Sequence, residues 1–384
     1  MAWARVGIAL AVAVLAAGLT LSGGTAVDPP PPSGFPGVVP ALLSKAGTER
    51  TADAGRRGGD ETRAATERDR RWLAQAKPLG DATPRWAMRL YGRSLLVLRA
   101  AVGRDGGAVA GARAGWAYVW PRDAAIVAIA LASAGYRAEA RRVARFLLDL
   151  ELGTAARFDL AGEPVDGRAA QGDAAGWAAA AALAAGIGAR PAQSGWRGLA
   201  DYQEKDGGDY LGNAIASAFA DDEKESDRAA ALGQGREIAR RFAAQRGLVR
   251  VASDADSGLD SAAAWAVRPF PQPALFPAAR RTLLHLAAER KSRFGLVPSE
   301  SWDGGEDPWT APTAWTAWSL AALGERQAAL RLMADLRRAA TPLGLLPERV
   351  DADTGLPTST TPLAWSHAFA ILAIRELWPG RAGA

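Results

Sequence analysis

The chain has 384 residues, 49% of them apolar, enough to build one large core or two medium ones. It has no cysteine and only two histidines, His285 and His367, which excludes disulfide and thiol chemistry and argues against a His-rich metal site. A carboxylate-only cation site stays open, but no metal or cofactor is called for. The formal charge of +5 comes mostly from arginines spread along stretches such as "RAEARRVARF" and "ALRLMADLRR". No lysine-rich or basic–aromatic tract occurs, which argues against a nucleic-acid partner.

The N-terminus carries one early Arg, an uncharged run from Val6 to Leu21, and then small residues at Gly24 and Ala26. This reads as a signal peptide or N-terminal anchor over residues 1–26, and therefore as an exported protein at the cell surface or outside it. Contact with a membrane is expected only if the run is retained. Residues 27–80 form a Pro-rich spacer and charged lead-in, and 81–384 a single helical domain.

From residue 84 on, apolar residues recur at helical spacing. Helices are predicted over 84–102, 123–135, 137–151, 173–186, 209–220, 226–245, 275–290, 310–323, 325–340 and 362–377. Asp123 stands where a helix N-cap would, and Gly135 where a helix would stop. Residues 173–186 are apolar nearly all round, so that helix should be buried on several sides. No long two-residue alternation appears. The helices tend to come in pairs, and the long connections, including 246–274, collect the Trp, Gly, Asp and Glu that packing does not need. A closed ring of paired helices would gather those loops on one face around a pocket, so the expected fold is all-α, an (α/α)6 barrel.

Four stretches could carry chemistry. In "AGWAYVWPRDAAI", Trp120, Arg122 and Asp123 offer a stacking face, a donor fork and an acceptor suited to a polyhydroxylated ligand, although a well-made helix start explains them too. "GLADYQEKDGG" places Glu204 in a polar loop. "GLVPSESWDGGEDPW" crowds acids and tryptophans together, ending at Trp309. "GLLPERVDADTGLPTSTTPLAWSHA" places Glu348 in a loop, with Trp365, Ser366 and His367 at the next helix start. Adjacent residues on a helix point about 100° apart, so Ser366 and His367 cannot act as a nucleophile–base pair. Two loop carboxylates, Glu204 and Glu348, suit glycoside hydrolysis, in which one acid protonates the leaving oxygen and one base activates water.

Taken together, these motifs resemble glycoside hydrolase family 15, the glucoamylase and glucodextranase family. "RSLLVLRAAV" with "WAYVWPRDAA", then "QGDAAGW", "DYQEK" and "LPERVDADTGLPTSTTPLAWSHA", is similar to the family's segments in the right order over about residues 84–378. The resemblance implies an exo-acting α-glycosidase that hydrolyses with inversion. Glu204 would be its acid and Glu348 its base, with the two carboxyls about 6.5–9.5 Å apart. It also implies a substrate pocket formed by Trp120, Arg122, Asp123, Trp309 and Trp365. Two departures stand out. Gln203 replaces the tryptophan expected before the acid, and "PSES" (298–301) lacks an expected arginine. A catalytically weakened sugar-binding protein on the same fold is the alternative. Dextran, starch oligosaccharides, trehalose and an envelope glycan all stay open as substrates.

Overall fold

The structure, a computed structural model, describes residues 56–113, 115–188, 210–221, 228–289 and 292–380. The signal or anchor segment 1–26, most of the spacer, Gln203 and Glu204 lie outside the described residues. Among the described residues, no helix is long and apolar enough to cross a membrane, and no cluster of three or more acids and histidines could hold a metal ion.

Eleven helices are described: α1 Arg56–Leu73, α2 Arg85–Ala101, α3 Pro121–Ser133, α4 Arg137–Asp149, α5 Ala174–Ala184, α6 Leu211–Asp221, α7 Arg228–Phe242, α8 Phe276–Ala288, α9 Thr310–Ala322, α10 Arg326–Ala339 and α11 Ala364–Leu377. A 3-10 segment spans Ser261–Ala266. The helix α1 falls in the lead-in, and the others lie close to the predicted spans.

Contacts between neighbours close into a ring: α3 touches α5, α5 touches α6, and α6 touches the 261–266 segment. That segment touches α9, α9 touches α11, and α11 returns to α3. Outside this ring, α2 packs on α11, α4 on α3 and α5, α8 on the 261–266 segment, and α10 on α9. The (α/α)6 barrel is therefore the architecture, with the six ring segments inside and the outer helices packed around them.

Composition sorts the two layers. Every residue of α9 from Thr310 to Leu320 is buried, as is every residue of α5 from Ala174 to Ala182. In α4, by contrast, only Ala140, Val143, Ala144, Phe146 and Leu147 are buried, the one-sided stripe of an outer helix. An inner helix is enclosed on all sides, so it must be apolar all round, and it must be slim where neighbours converge. Ala and Gly meet both needs. At Gly176 in α5, an added Cβ would lie 1.9 Å from the carbonyl oxygen of Ala216 in α6, so only glycine lets those backbones approach. Around Trp177 the core is aromatic, with Trp265 and Phe270 in edge-on contact.

Two expectations are corrected. The α3 helix begins at Pro121 with Trp120 as its cap residue and no side-chain cap, so Asp123 sits inside the first turn and caps nothing. Pro is well suited to that first position, because its missing N–H would have had no partner there. The stretch 246–274, read as a loop, contains most of a three-stranded antiparallel sheet. Its strands are β1 Ala243–Ala244, β2 Gly247–Val251 and β3 Asp254–Leu259, in that order. In β2 the residues Gly247, Leu248 and Val249 are buried in succession, so the two-residue alternation that would have announced a strand is absent.

Gly176→Ala is expected to lower stability by about 1–3 kcal/mol through backbone collision. Gly92→Ala, inside α2 with open space around it, should raise stability by about 0.5–1 kcal/mol. Parallel denaturant titrations of the two variants check this; equal effects would remove the close-approach argument.

Candidate active site

The N-terminal ends of three inner helices are tied together at one point. Arg122, in the first turn of α3, donates from Nη1 to Asp173 Oδ2 at 2.5 Å, just before α5, and from Nη2 to Gln171 Oε1 at 3.4 Å. Its guanidinium lies 5.4 Å from the ring centre of Trp365, at the start of α11. Asp173 is fully buried, so the ion pair is shielded from water on that side. Gln171 and Asp173 lie in the "QGDAAGW" segment noted above, but their pairing with Arg122, about fifty positions away, could not be read from the sequence.

Asp123 is buried beside this pair. Burial pushes its carboxyl up to about 7; Arg122 opposes the rise, and the negative charges of Glu348 and Asp173 add to it. Asp123 and Glu348 therefore share one electrostatic environment. They differ in burial, since Glu348 is only half-buried.

The loop that carries Glu348 is fastened at every residue around it. Leu346 N–H donates to His367 Nε2 at 2.9 Å, and Thr310 Oγ1 donates to the Pro347 carbonyl. Glu348 N–H donates to the Thr360 carbonyl at 2.9 Å, and the Glu348 carbonyl accepts from Thr310 N–H at 3.1 Å. Ser366 Oγ lies 2.8 Å from Thr310 Oγ1. The side chain is held as well: Oε1 accepts from Trp116 Nε1 at 3.2 Å, and Oε2 accepts from Ser359 Oγ. Trp116 and Ser359 were not read as functional from the sequence; their positions become meaningful only once the loops meet.

His367 and Ser366 are thus structural supports of this loop. Because His367 Nε2 accepts the Leu346 N–H, its proton sits on Nδ1 and is donated to Ser94 Oγ at 2.8 Å. Burial, with Arg93 nearby, holds the imidazole well below its ordinary range, at about 3. The ring stays neutral and cannot serve as a titrating base at neutral pH.

Aromatic walls flank the loop. Trp309 meets Trp302 edge-on at 5.3 Å and pairs across a bridge with Arg349, and Trp365 meets Trp315 edge-on at 5.4 Å. The indole N–H groups of Trp120, Trp302, Trp309 and Trp365 are buried without an acceptor among the described residues. The structure thus gathers Trp120, Arg122, Asp123, Trp309, Glu348 and Trp365 around the starts of the inner helices. Glu204, and with it the carboxyl separation, lies outside the described residues. Two other surface clefts lie elsewhere, one beside Trp86 and Gly344 and one beside Phe146 and Gly162.

This is the fold of the barrel-type glycosidases. The sequence model of Glycosyl hydrolases family 15 matches residues 87–154, which contain most of α2 together with Trp120, Arg122 and Asp123. The chain is therefore similar to family 15 by sequence over that segment and by fold over most of its length. Among solved structures, it is similar to a glucoamylase from Saccharomycopsis fibuligera, at 14% identity, with 78% of this chain and 96% of that one covered and a TM-score of 0.62. It is also similar to a bacterial glucoamylase complexed with acarbose, at 17% identity, 84% and 59% coverage and a TM-score of 0.61. A glycosidase variant in complex with glucose aligns at 20% identity over 76% of this chain and 97% of that one, with a TM-score of 0.60. No curated protein matches the chain at a significant level.

Asp123 and His367 set opposite pH dependences. The folded carboxyl of Asp123 is raised, so its contribution is fully present below the ordinary value near 3.8 and is lost as pH rises towards about 7. His367 is depressed, so its contribution is present above about 6.5 and is lost as pH falls towards about 3. Asp123→Asn should therefore gain stability relative to the parent at pH 8 and little at pH 4, as read by denaturant titration. An unchanged difference between the two pH values would remove Asp123 from this account.

Proposed function

We propose that the chain is an exo-acting, inverting α-glycosidase of the glucoamylase and glucodextranase type. It would hydrolyse α-linked glucose-containing oligo- or polysaccharides. Glu348 is the general base that draws a proton from the attacking water, and Glu204 is the general acid that protonates the leaving oxygen. The observation that carries this reading is the double clamp on Glu348. A loop carboxylate is given backbone restraints on both sides, an indole donor and a hydroxyl donor, at the point where the inner helices begin. A surface glutamate has no use for such placement, whereas a base must hold one water at a fixed distance from an anomeric carbon.

The remaining roles follow from chemistry. Arg122 and Asp123 hold hydroxyls of the sugar in the first subsite. Asp123, kept largely protonated below about pH 7, can donate as well as accept. Trp120, Trp309 and Trp365 supply aromatic faces for the apolar sides of the ring, with indole N–H groups for its oxygens. Two of the similar structures are complexes of other proteins with glucose and with acarbose, which supports carbohydrate as the partner. The N-terminal segment 1–26, read as a signal peptide or anchor, supports a location at the cell surface or outside the cell.

Glu348→Gln and Glu204→Gln should each lower kcat on the true substrate by about 10³-fold or more, with small effects on sugar binding. Proton NMR of an α-glucan digest should show the β-anomer of the sugar released first. Release of the α-anomer would sink the inverting assignment, and full activity in either variant would remove that residue from its role. Ser359→Ala, which loses one restraint on Glu348, should lower kcat by about 10-fold and leave KM nearly unchanged, since the loop itself stays fastened.

A further inference from the structure

One side of the site is a continuous stack of aromatic and guanidinium groups. The Arg250 guanidinium, on β2, lies 5.4 Å from the ring centre of Tyr210 and 5.0 Å from that of Trp302. Trp302 meets Trp309 edge-on at 5.3 Å, and the Arg349 guanidinium lies 5.6 Å from the Trp309 ring centre. The order is Tyr210, Arg250, Trp302, Trp309, Arg349. Its two ends adjoin in sequence the two carboxylates assigned above, since Glu204 precedes Tyr210 by a short stretch and Arg349 follows Glu348 directly.

Among the described residues, Arg250 is only loosely paired and Arg349 has no ion pair. Arg250 donates to Ser299 Oγ at 3.2 Å, and its nearest carboxylate, Asp260, stands 3.9 Å away. Arg349 forms no ion pair among the described residues, and its Nε is buried without an acceptor there. Acids of the same rim are already engaged. Glu300 is taken by Arg246 and the Leu259 N–H, Asp307 by Thr358, and Asp351 by Thr354. Asp260 accepts from the Ala262 N–H, and Asp303 and Glu306 are not free either. Across the site the same motif recurs, with Arg113 5.7 Å from the ring centre of Trp116 and Arg168 5.5 Å from that of Trp120, again with no ion pair among the described residues. A planar guanidinium lying over an aromatic face can still present in-plane N–H groups, although Arg250 spends one on Ser299, and such groups match a carboxylate or an ester oxyanion better than a single hydroxyl.

We propose that Arg250 and Arg349 are specificity-determining residues that select a saccharide carrying an anionic substituent, a carboxylate or a sulfate or phosphate ester. This rests on the glycosidase reading for the position of the site, and it deepens that reading by naming the charge of the substrate. The β1–β3 sheet then has a role of its own, which is to bring Arg250 to the rim.

The test is NMR titration of the full chain with D-glucose, D-glucuronate, glucose 6-sulfate and glucose 6-phosphate at low and high salt. The expected result is that at least one charged sugar binds about tenfold or more tighter than glucose at low salt, with the advantage shrinking as salt rises. Preference for glucuronate identifies a carboxylate, and preference for the 6-sulfate or 6-phosphate identifies an ester. The Arg250→Gln/Arg349→Gln double variant should lose that preference while glucose affinity changes less than about threefold. Arg250→Lys, which keeps the charge and loses the fork, should retain only part of it. Equal binding of glucose and every charged sugar by the parent, no binding of any charged sugar, or undiminished preference in a folded double variant would each overturn the proposal. If the double variant does not fold, the salt series on the parent still decides. Charge preference without turnover of any α-glycoside would leave this inference standing and bring down the glycosidase reading, so the two fail separately.

Discussion

The ion pair between Arg122 and Asp173 is the contact on which the site's geometry depends. It joins the first turn of α3 to the residue before α5, and the same guanidinium lies against Trp365 at the start of α11. Three inner helices are thereby fixed in relative height at their N-terminal ends. A buried pair of this kind contributes little net stability, because desolvation offsets most of the attraction. Removing one partner would cost about 3–5 kcal/mol, since it leaves the other charge buried and uncompensated. What the pair supplies is geometry. Asp173 has a second oxygen, Oδ1, with no donor to it among the described residues, so part of its accepting capacity is left over for the site.

That anchoring works because the ring behind it is stiff. Inner helices built from Ala, Gly and Thr pack backbone against backbone, as Gly176 against Ala216 shows. The outer helices have freedom on their solvent face, and the inner ones have none. Loops that start from such a ring inherit its precision. The Glu348 loop is one of them, fastened by Thr310 on α9 and by His367 on α11. A side chain at Glu348 is therefore placed by two inner helices at once.

Much of this was legible in the sequence, and the limits have physical reasons. Helix spans were readable because inner helices are apolar runs and outer helices are amphipathic stripes, both of which leave a local trace. Glu348, Arg122 and Asp123 could be found because a Pro or a helix start beside each constrains the backbone. The pairings of Asp173 and Trp116 were not found, because each acts through a side chain far away in the chain, and that of Ser359 because it forms only once its loop folds back on Glu348. His367 was visible as a rare residue, but its role was not, since a neutral imidazole accepting a backbone N–H needs the fold to define it. The β1–β3 sheet escaped because its middle strand is buried without alternation. Glu204 lies outside the described residues, so its place rests on the sequence alone.

The distribution of charge around Asp123 bears on how several carboxylates can sit close together. Asp123 and Glu348 would repel each other if both were fully ionised in a dry site. Burial raises the Asp123 carboxyl to about 7, so this enclosed acid holds its proton over much of the acidic range. Arg122 limits that rise and is itself held by Asp173. One arginine beside two buried acids thus anchors the helix ends and tempers the proton affinity of Asp123.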